Sequence, residues 1–314
     1  MWGVSALVGP LVGGALASIG LWRGAFWAFA AQGLVLAMLT PVLVAPPPTE
    51  RTVREVLPGR QLLMLSVGVL AFSLAGVQGD VRLMVALGLL GLATLWAVLR
   101  IEARAAQRLF PPTPFDATDA WGPGYLVVLT LATATVSFTV YGPLLMVTLF
   151  GVLPVTAGFI LAIESVAWTL AAIAVARAPV EREAILIRCG VITITAGVVG
   201  LALTMPIGPA WALVPWAILQ GAGFGLCWAS LLRRIVAAVP AAERERASSA
   251  MPTLQMIGYA IGAAAGGMVA NGLGLVDGAP EAVVRSVAFW VFAAFLPLAL
   301  VGVRAAWRFS ASTA

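Results

Sequence analysis

Residues 8–14 read VGPLVGG: three glycines and a proline in an apolar stretch that meets no charge before Arg23. In a soluble helix such a run is self-defeating, since Gly costs about 1 kcal/mol and interior Pro about 3 kcal/mol relative to Ala. In lipid the balance changes. Small residues let two helix backbones approach closely, where packing rather than hydrophobicity drives association. A proline is tolerated where a neighbour satisfies the freed carbonyl. Ser5, Gly9, Gly13 and Ala17 recur every four residues and make a flat stripe, with Pro10 beside it permitting a bend. The stretch reads as a membrane helix built for close contact.

The rest of the chain agrees. Of its 314 residues 61% are hydrophobic and 10% charged, and the mean hydropathy is +1.03. Soluble domains carry roughly 25% charged residues, so the charge deficit sets the class: an all-α integral membrane protein. There is no His, which excludes histidine-based catalysis, metal ligation and proton relay. Cys189 and Cys227 have no metal-site or disulfide-framework spacing and read as small packing residues. With no acid pair and no nucleotide loop, an enzyme is not expected, nor any metal or cofactor. The start lacks the positive n-region of a secretory signal.

Apolar spans of about 20 residues are placed at 2–20, 25–45, 62–79, 83–100, 123–149, 155–176, 189–206, 210–232, 248–274 and 286–304. Arginine placement tests these ten, because cytoplasmic loops collect basic residues. All 18 basic residues are arginines, and with 46–61 cytoplasmic only Arg23, Arg82 and Arg285 fall on the other side. The alternation predicts a multi-pass protein of the cell membrane with both termini cytoplasmic. The basic charge is then a matter of topology, and no nucleic-acid partner is expected. Arg233-Arg234 and Glu243-Arg244-Glu245-Arg246 read as an anchor and a solvated loop. Pro46-Pro47-Pro48 and Pro111-Pro112-Thr113-Pro114 mark boundaries between bundles. The pair 62–79 and 83–100, poor in polar groups, is expected to face mostly lipid.

Two further stripes follow. Gly258, Gly262 and Gly266, with Gly267, echo the first, and GPLVGGALAS and IGAAAGGMVA suggest an internal repeat. Ala217, Gly221, Gly225 and Ala229 form a third stripe, expected to pack beside the second.

Gly9-Pro10-Leu11-Val12-Gly13-Gly14 resembles the GPxxGG core of the fifth-helix antiporter motif of the major facilitator superfamily. Trp22-Arg23-Gly24-Ala25-Phe26-Trp27 is similar to the WRWxF-type start of the sixth helix in its fourteen-helix drug:proton antiporter family. Tyr141-Gly142-Pro143-Leu144, Gly151 and Leu153-Pro154-Val155-Thr156-Ala157-Gly158 resemble that family's YxPL…G.SPLxAG connection, with Val152 where the family has Ser or Thr. Gln255-Met256-Ile257-Gly258-Tyr259-Ala260-Ile261-Gly262 resembles its penultimate-helix pattern. The resemblance implies a major facilitator fold of about ten helices that lacks the first four. With them go the loop 2–3 signature, the fourth-helix arginine motif and the first-helix acid linked to proton coupling. It assigns 1–45 to the last two helices of the N-terminal bundle, 46–61 to a cytoplasmic linker and 62–100 to the extra pair. A second cytoplasmic linker at 101–122 leads to a six-helix C-terminal bundle at 123–314.

Glu164 is the ionisable residue deep in a span, nine residues into 155–176, or about 14 Å at the helical rise. A charge there costs ~2.5 kcal/mol or more, so such residues face a cavity or a partner and mark transport paths. Trp168 at i+4 shares its face and offers an apolar or cation–π wall. Gln32, Tyr141, Gln220, Gln255 and Tyr259 are further polar groups within spans, each needing a partner in the bundle interior. The expected function is proton-coupled efflux of hydrophobic or cationic drug-like compounds, with small-molecule substrate, protons and the bilayer as partners, by a monomer. The alternatives are a permease for one metabolite, or an inactive truncated fragment, since alternating access requires two opposed bundles.

Overall fold

The computed structural model describes residues 2–43, 58–105 and 108–311. The side chains of 2–7 and of Pro10, and the segment 44–57 with its predicted Pro46-Pro47-Pro48 boundary, lie outside the described residues. Every regular element among those described is helical: α1 (Trp2–Ser18), α2 (Trp22–Leu43), α3 (Gly59–Gly76), α4 (Val81–Glu102), α5 (Gly122–Phe150), α6 (Pro154–Val175), α7 (Glu183–Thr204), α8 (Val214–Ala238), α9 (Arg244–Gly272), α10 (Glu281–Ala293) and α11 (Leu296–Ala311). Nine helical segments among the described residues are long and apolar enough to cross a membrane, the last running from Glu281 to Ala311. Helix α1, at 17 residues, spans about 26 Å. The chain is an all-α integral membrane protein.

Helices α7, α8, α9 and α11 all run past the predicted apolar limits at the arginine-rich end, where α7 begins at Glu183 rather than 189 and α9 at Arg244 rather than 248. Backbone hydrogen bonding continues beyond the hydrocarbon and needs no apolar side chain. The last predicted span is broken at Ala294–Phe295. Pro297 has no N–H to return to Ala293, so the ladder is interrupted one turn upstream. Between α5 and α6 the corner is sharp: Gly151 closes α5 in the left-handed region (φ 64°) and donates to Val147 O, and Pro154 opens α6. A left-handed Gly at the end and a Pro at the start are the favoured residues for those positions.

Helices α5 and α9 run parallel, strapped at two levels. Tyr125 Oη donates to Ala247 O over 3.0 Å and Tyr141 Oη to Ala263 O over 2.7 Å, the same sequence offset at both. The stripe Gly258, Gly262 and Gly266 lies in this contact. A Cβ at Gly258 would stand 2.8 Å from Ala132 Cβ, and one at Gly266 2.6 Å from the Tyr141 ring. Helices α7 and α8 meet glycine to glycine, with Gly190 and Gly223 each placed so that an added Cβ would be 2.6 Å from the other's carbonyl oxygen. Side chains then fill two large apolar clusters. One gathers Tyr125, Leu131, Ile187, Phe224, Leu231 and Phe309 toward the arginine-rich end. The other gathers Phe138, Met146, Leu161, Leu201, Val291 and Phe292 toward the opposite end.

The pair α3–α4 was expected to face mostly lipid. Much of its surface is exposed, but α3 docks on α9: Gly76 approaches Ala264, and Asn271 Nδ2 donates to Gly76 O over 2.9 Å. Helix α1 lies against α6, while α2 has no buried residue. The segment 108–121, expected as a linker, folds back as a cap. Phe110 is buried, Leu109, Phe115 and Trp121 pack on the same cluster, and Trp121 Nε1 donates to Pro112 O over 3.0 Å. Glu102, the last residue of α4, holds its start: Oε1 accepts from Leu109 N and, over 2.8 Å, from Phe110 N.

Candidate functional site

Helix α8 carries Gly221 and Gly225 one turn apart, and α6 carries Glu164 and Trp168 with the same spacing. A Cβ at Gly221 would overlap the carbonyl oxygen of Glu164, and one at Gly225 that of Trp168. The two backbones touch at this level, and that contact brings Gln220 beside Glu164. Gln220 Nε2 donates to Glu164 Oε1 over 2.8 Å. The third glycine stripe was expected to pack beside the second; it packs on α6 instead. Periodicity defines which face of a helix is flat but not which neighbour fills it.

The pair sits at the seam between the two apolar clusters. Leu161 and Ala217, one turn or less to one side, belong to one cluster; Phe224, with Trp168 packed on it, belongs to the other. Gln220 is buried and Glu164 half-buried. The carbonyl oxygen of the Gln220 amide, Oε1, is buried with no hydrogen-bond partner among the described residues. An unsatisfied buried acceptor costs about 1–3 kcal/mol, so this amide is held ready for a donor the fold does not supply.

On α9, Gln255 is buried and its Nε2 donates to Tyr259 Oη over 3.0 Å. One turn along α6 from Glu164, the Trp168 indole stacks on Phe224 with centroids 4.8 Å apart and planes at 11°, and Trp228 closes in at 5.9 Å. The arrangement on α6 and α8 is a carboxyl group and an amide beside an aromatic wall, a few placed polar groups among apolar side chains, as in sites that hold apolar molecules.

Glu164, Trp168 and Gln220 therefore come together, while Gln255 pairs with Tyr259 on α9. Two others named from the sequence stand elsewhere. Tyr141 is engaged as the α5–α9 strap against Gly266, and Gln32 is exposed on α2. Of the antiporter-type stretch, Gly14 makes the close contact, its Cβ position lying 2.9 Å from Pro154 O on α6. Among the described residues nothing lies within 4 Å of the Cβ positions of Gly9 and Gly13.

The sequence reading missed the ion pair that ties α8 to α7. Arg233, taken as an anchor, binds Glu183 across α8 and α7 with Nε to Oε1 at 2.6 Å, and Glu183 is buried. Loop charges of both signs at 181–188 and 233–234 were its only trace. Cys227 is buried as expected of a packing residue, but Cys189 is exposed.

No known protein-family profile matches the chain. Two curated proteins of Mycobacterium tuberculosis do, from strain CDC 1551 / Oshkosh and strain ATCC 25618 / H37Rv, each named a probable multidrug-efflux transporter. Each is 30% identical over 326 aligned positions, which take in 98% of this chain and 66% of the relative. The likeness supports a transporter family, and the chain spans just under two thirds of the length of the relatives it matches.

Proposed function

We propose that this chain carries the cargo site of a proton-coupled exporter of the major facilitator class, for hydrophobic and cationic drug-like molecules. The observation that carries the reading is the Glu164–Gln220 pair, seated in the middle of the spans at the seam of two apolar clusters and walled by Trp168. The names of the two relatives support the cargo class. In this reading 1–45 belongs to one bundle, 62–100 to an inserted pair and 123–314 to the opposing six-helix bundle, with the arginine-rich end and both termini cytoplasmic in the cell membrane.

The pair works in two protonation states. Ionised Glu164 accepts from the Gln220 amide and presents a negative charge to a lipophilic cation lying against the aromatic wall. Protonated Glu164 is neutral, releases the cation and turns its new O–H toward Gln220 Oε1 once that amide rotates by half a turn. One acid thus exchanges a proton for a cation, and the amide supplies a partner to both forms. A charge at this depth is costly unless paired, which makes simultaneous loss of both ligands unfavourable and links them.

The test is equilibrium binding of tetraphenylphosphonium to the purified chain, with neutral triphenylphosphine oxide as control. Glu164→Gln should weaken cation binding about tenfold, the scale of one charge-assisted contact, and leave the neutral compound unchanged. Equal loss of both, or of neither, would sink the proposal.

A further inference from the structure

Three arginines converge on one cavity at the foot of the α3–α4 hairpin. The cavity, of about 480 Å³, is lined by Arg60 and Gln61 on the first turn of α3 and by Arg100, Ile101, Arg104 and Ala105 at and just past the end of α4. The hairpin holds them there. Its helices are joined by the short segment 77–80 and meet glycine to glycine: a Cβ at Gly91 would stand 3.0 Å from Gly68 O, and one at Gly68 3.4 Å from Gly91 O. No carboxylate among the described residues lines the cavity, and none of the three arginines has an ion pair among them. Glu102, the acid between Arg100 and Arg104, is buried on the wall of a different cavity, where its Oε1 is spent on the cap N–H groups. Arg100 lies over the Trp96 ring, 4.5 Å from the centroid, which orients its guanidinium without neutralising it.

The tendency of arginines to collect on the cytoplasmic side explains why they stand at this end. It does not explain why three of them, from two helices, line one cavity that no acid shares. Like charges drawn together repel, and an anion seated among them removes the repulsion. We propose that this cavity binds the phosphate of an anionic phospholipid headgroup, whose oxygens accept from more than one guanidinium fork. Planar guanidinium groups pair two-pronged with phosphate oxygens, and basic pockets between membrane helices on the cytoplasmic side take such headgroups. A lipid, rather than free phosphate, follows from what adjoins the cavity. One turn farther into the membrane from Arg60 and Arg100 stand Leu63 and Trp96, 66% and 58% exposed, an apolar surface along which acyl chains can lie. The site lies outside the helices that carry Glu164 and Gln220 and does not depend on their role.

The experiment is thermal unfolding of the purified full chain in detergent with dioleoylphosphatidylglycerol, dioleoylglycerol (which lacks the phosphate) and inorganic phosphate as separate probes. The phospholipid should raise Tm by several degrees and the other two should not. The Arg60→Gln/Arg100→Gln/Arg104→Gln triple variant should lose the rise. A matched triple variant at the same end, Arg177→Gln/Arg304→Gln/Arg308→Gln, removes equal charge from exposed positions that line no part of this cavity and should keep it. Five outcomes overturn the site: no rise with the phospholipid, an equal rise with dioleoylglycerol, a rise with inorganic phosphate in place of the lipid, an undiminished rise in the cavity triple, or an equal loss in the matched triple. If either triple does not fold, the exposed single changes Arg104→Gln and Arg177→Gln carry the same comparison. Arg104→Gln should then reduce the rise and Arg177→Gln should not, and an equal rise in both overturns the site.

Discussion

Gln220 reaches Glu164 because Gly221, the next residue on α8, has no side chain where it meets the Glu164 carbonyl. The hydrogen bond and the glycine are one feature: the first exists because the second lets the backbones touch.

The bond should show energetic coupling. Gln220→Leu strands the carboxyl of Glu164 in the seam at a cost of about 1–3 kcal/mol. Adding Glu164→Leu should recover most of that loss, since removing both partners of a buried polar pair is cheaper than removing one. A double-mutant cycle read by thermal unfolding checks this; additive losses would mean the two residues act independently.

Glycines in this chain should divide sharply by what they face. Gly221→Ala and Gly225→Ala push a methyl group into the backbone of α6 and should cost ~1–3 kcal/mol or more as overpacking. Gly9→Ala and Gly13→Ala meet nothing within 4 Å among the described residues and should be neutral in this chain or gain up to about 1 kcal/mol from helix propensity. Melting temperatures of the four variants, measured side by side, give the comparison.

Arg233→Ala removes the partner of buried Glu183. Losing one member of a fully buried pair costs about 3–5 kcal/mol, but Arg233 is 46% exposed, and solvent screening reduces the expected loss to ~1–3 kcal/mol. Arg233→Ala combined with Glu183→Gln should be closer to wild type than Arg233→Ala alone. Denaturation of the three variants in one detergent decides it.

The cap at 108–121 depends on Glu102. Glu102→Ala leaves the N–H groups of Leu109 and Phe110 without their acceptor, so protease cleavage within 103–121 should accelerate several-fold while the helices stay protected. Wild-type and variant cleavage at equal rates would show that apolar packing of Phe110 suffices.

Asp116, in the same cap, responds to pH. The Thr118 hydroxyl and then its backbone N–H hold the Asp116 carboxyl below its ordinary value. A lowered value means that the ionised form belongs to the folded cap. Its contribution is full above the ordinary carboxylate range and is lost as pH falls through the lower folded value. Thr118→Ala should move the Asp116 titration upward, observable by carboxyl carbon NMR.

Much of the architecture was legible in residues 1–314. Apolar runs bounded by arginines located the spans, because hydrocarbon thickness sets their length and excludes charge. Gly151 and Pro154 announced the α5–α6 corner, because the backbone there has conformations few residues tolerate. Glu164 stood out by the same logic of cost: a carboxyl group in mid-span needs a reason. The partner of each was less accessible. On α1, Gly14 makes the close contact with Pro154 among the described residues, and its sequence context does not set it apart from Gly13. Tyr141 and Gln255 looked equivalent, yet one straps two helices and the other bonds Tyr259 on its own helix.

Local chemistry in the sequence determined that this chain crosses a membrane many times, where the crossings fall and which polar residues required an explanation. Tertiary structure alone decided that Glu164 meets Gln220 and that Arg233 meets Glu183. Helix periodicity repeats every turn and is the same for every neighbour. The choice of neighbour comes from how whole surfaces fit, a property of residues distant in the chain.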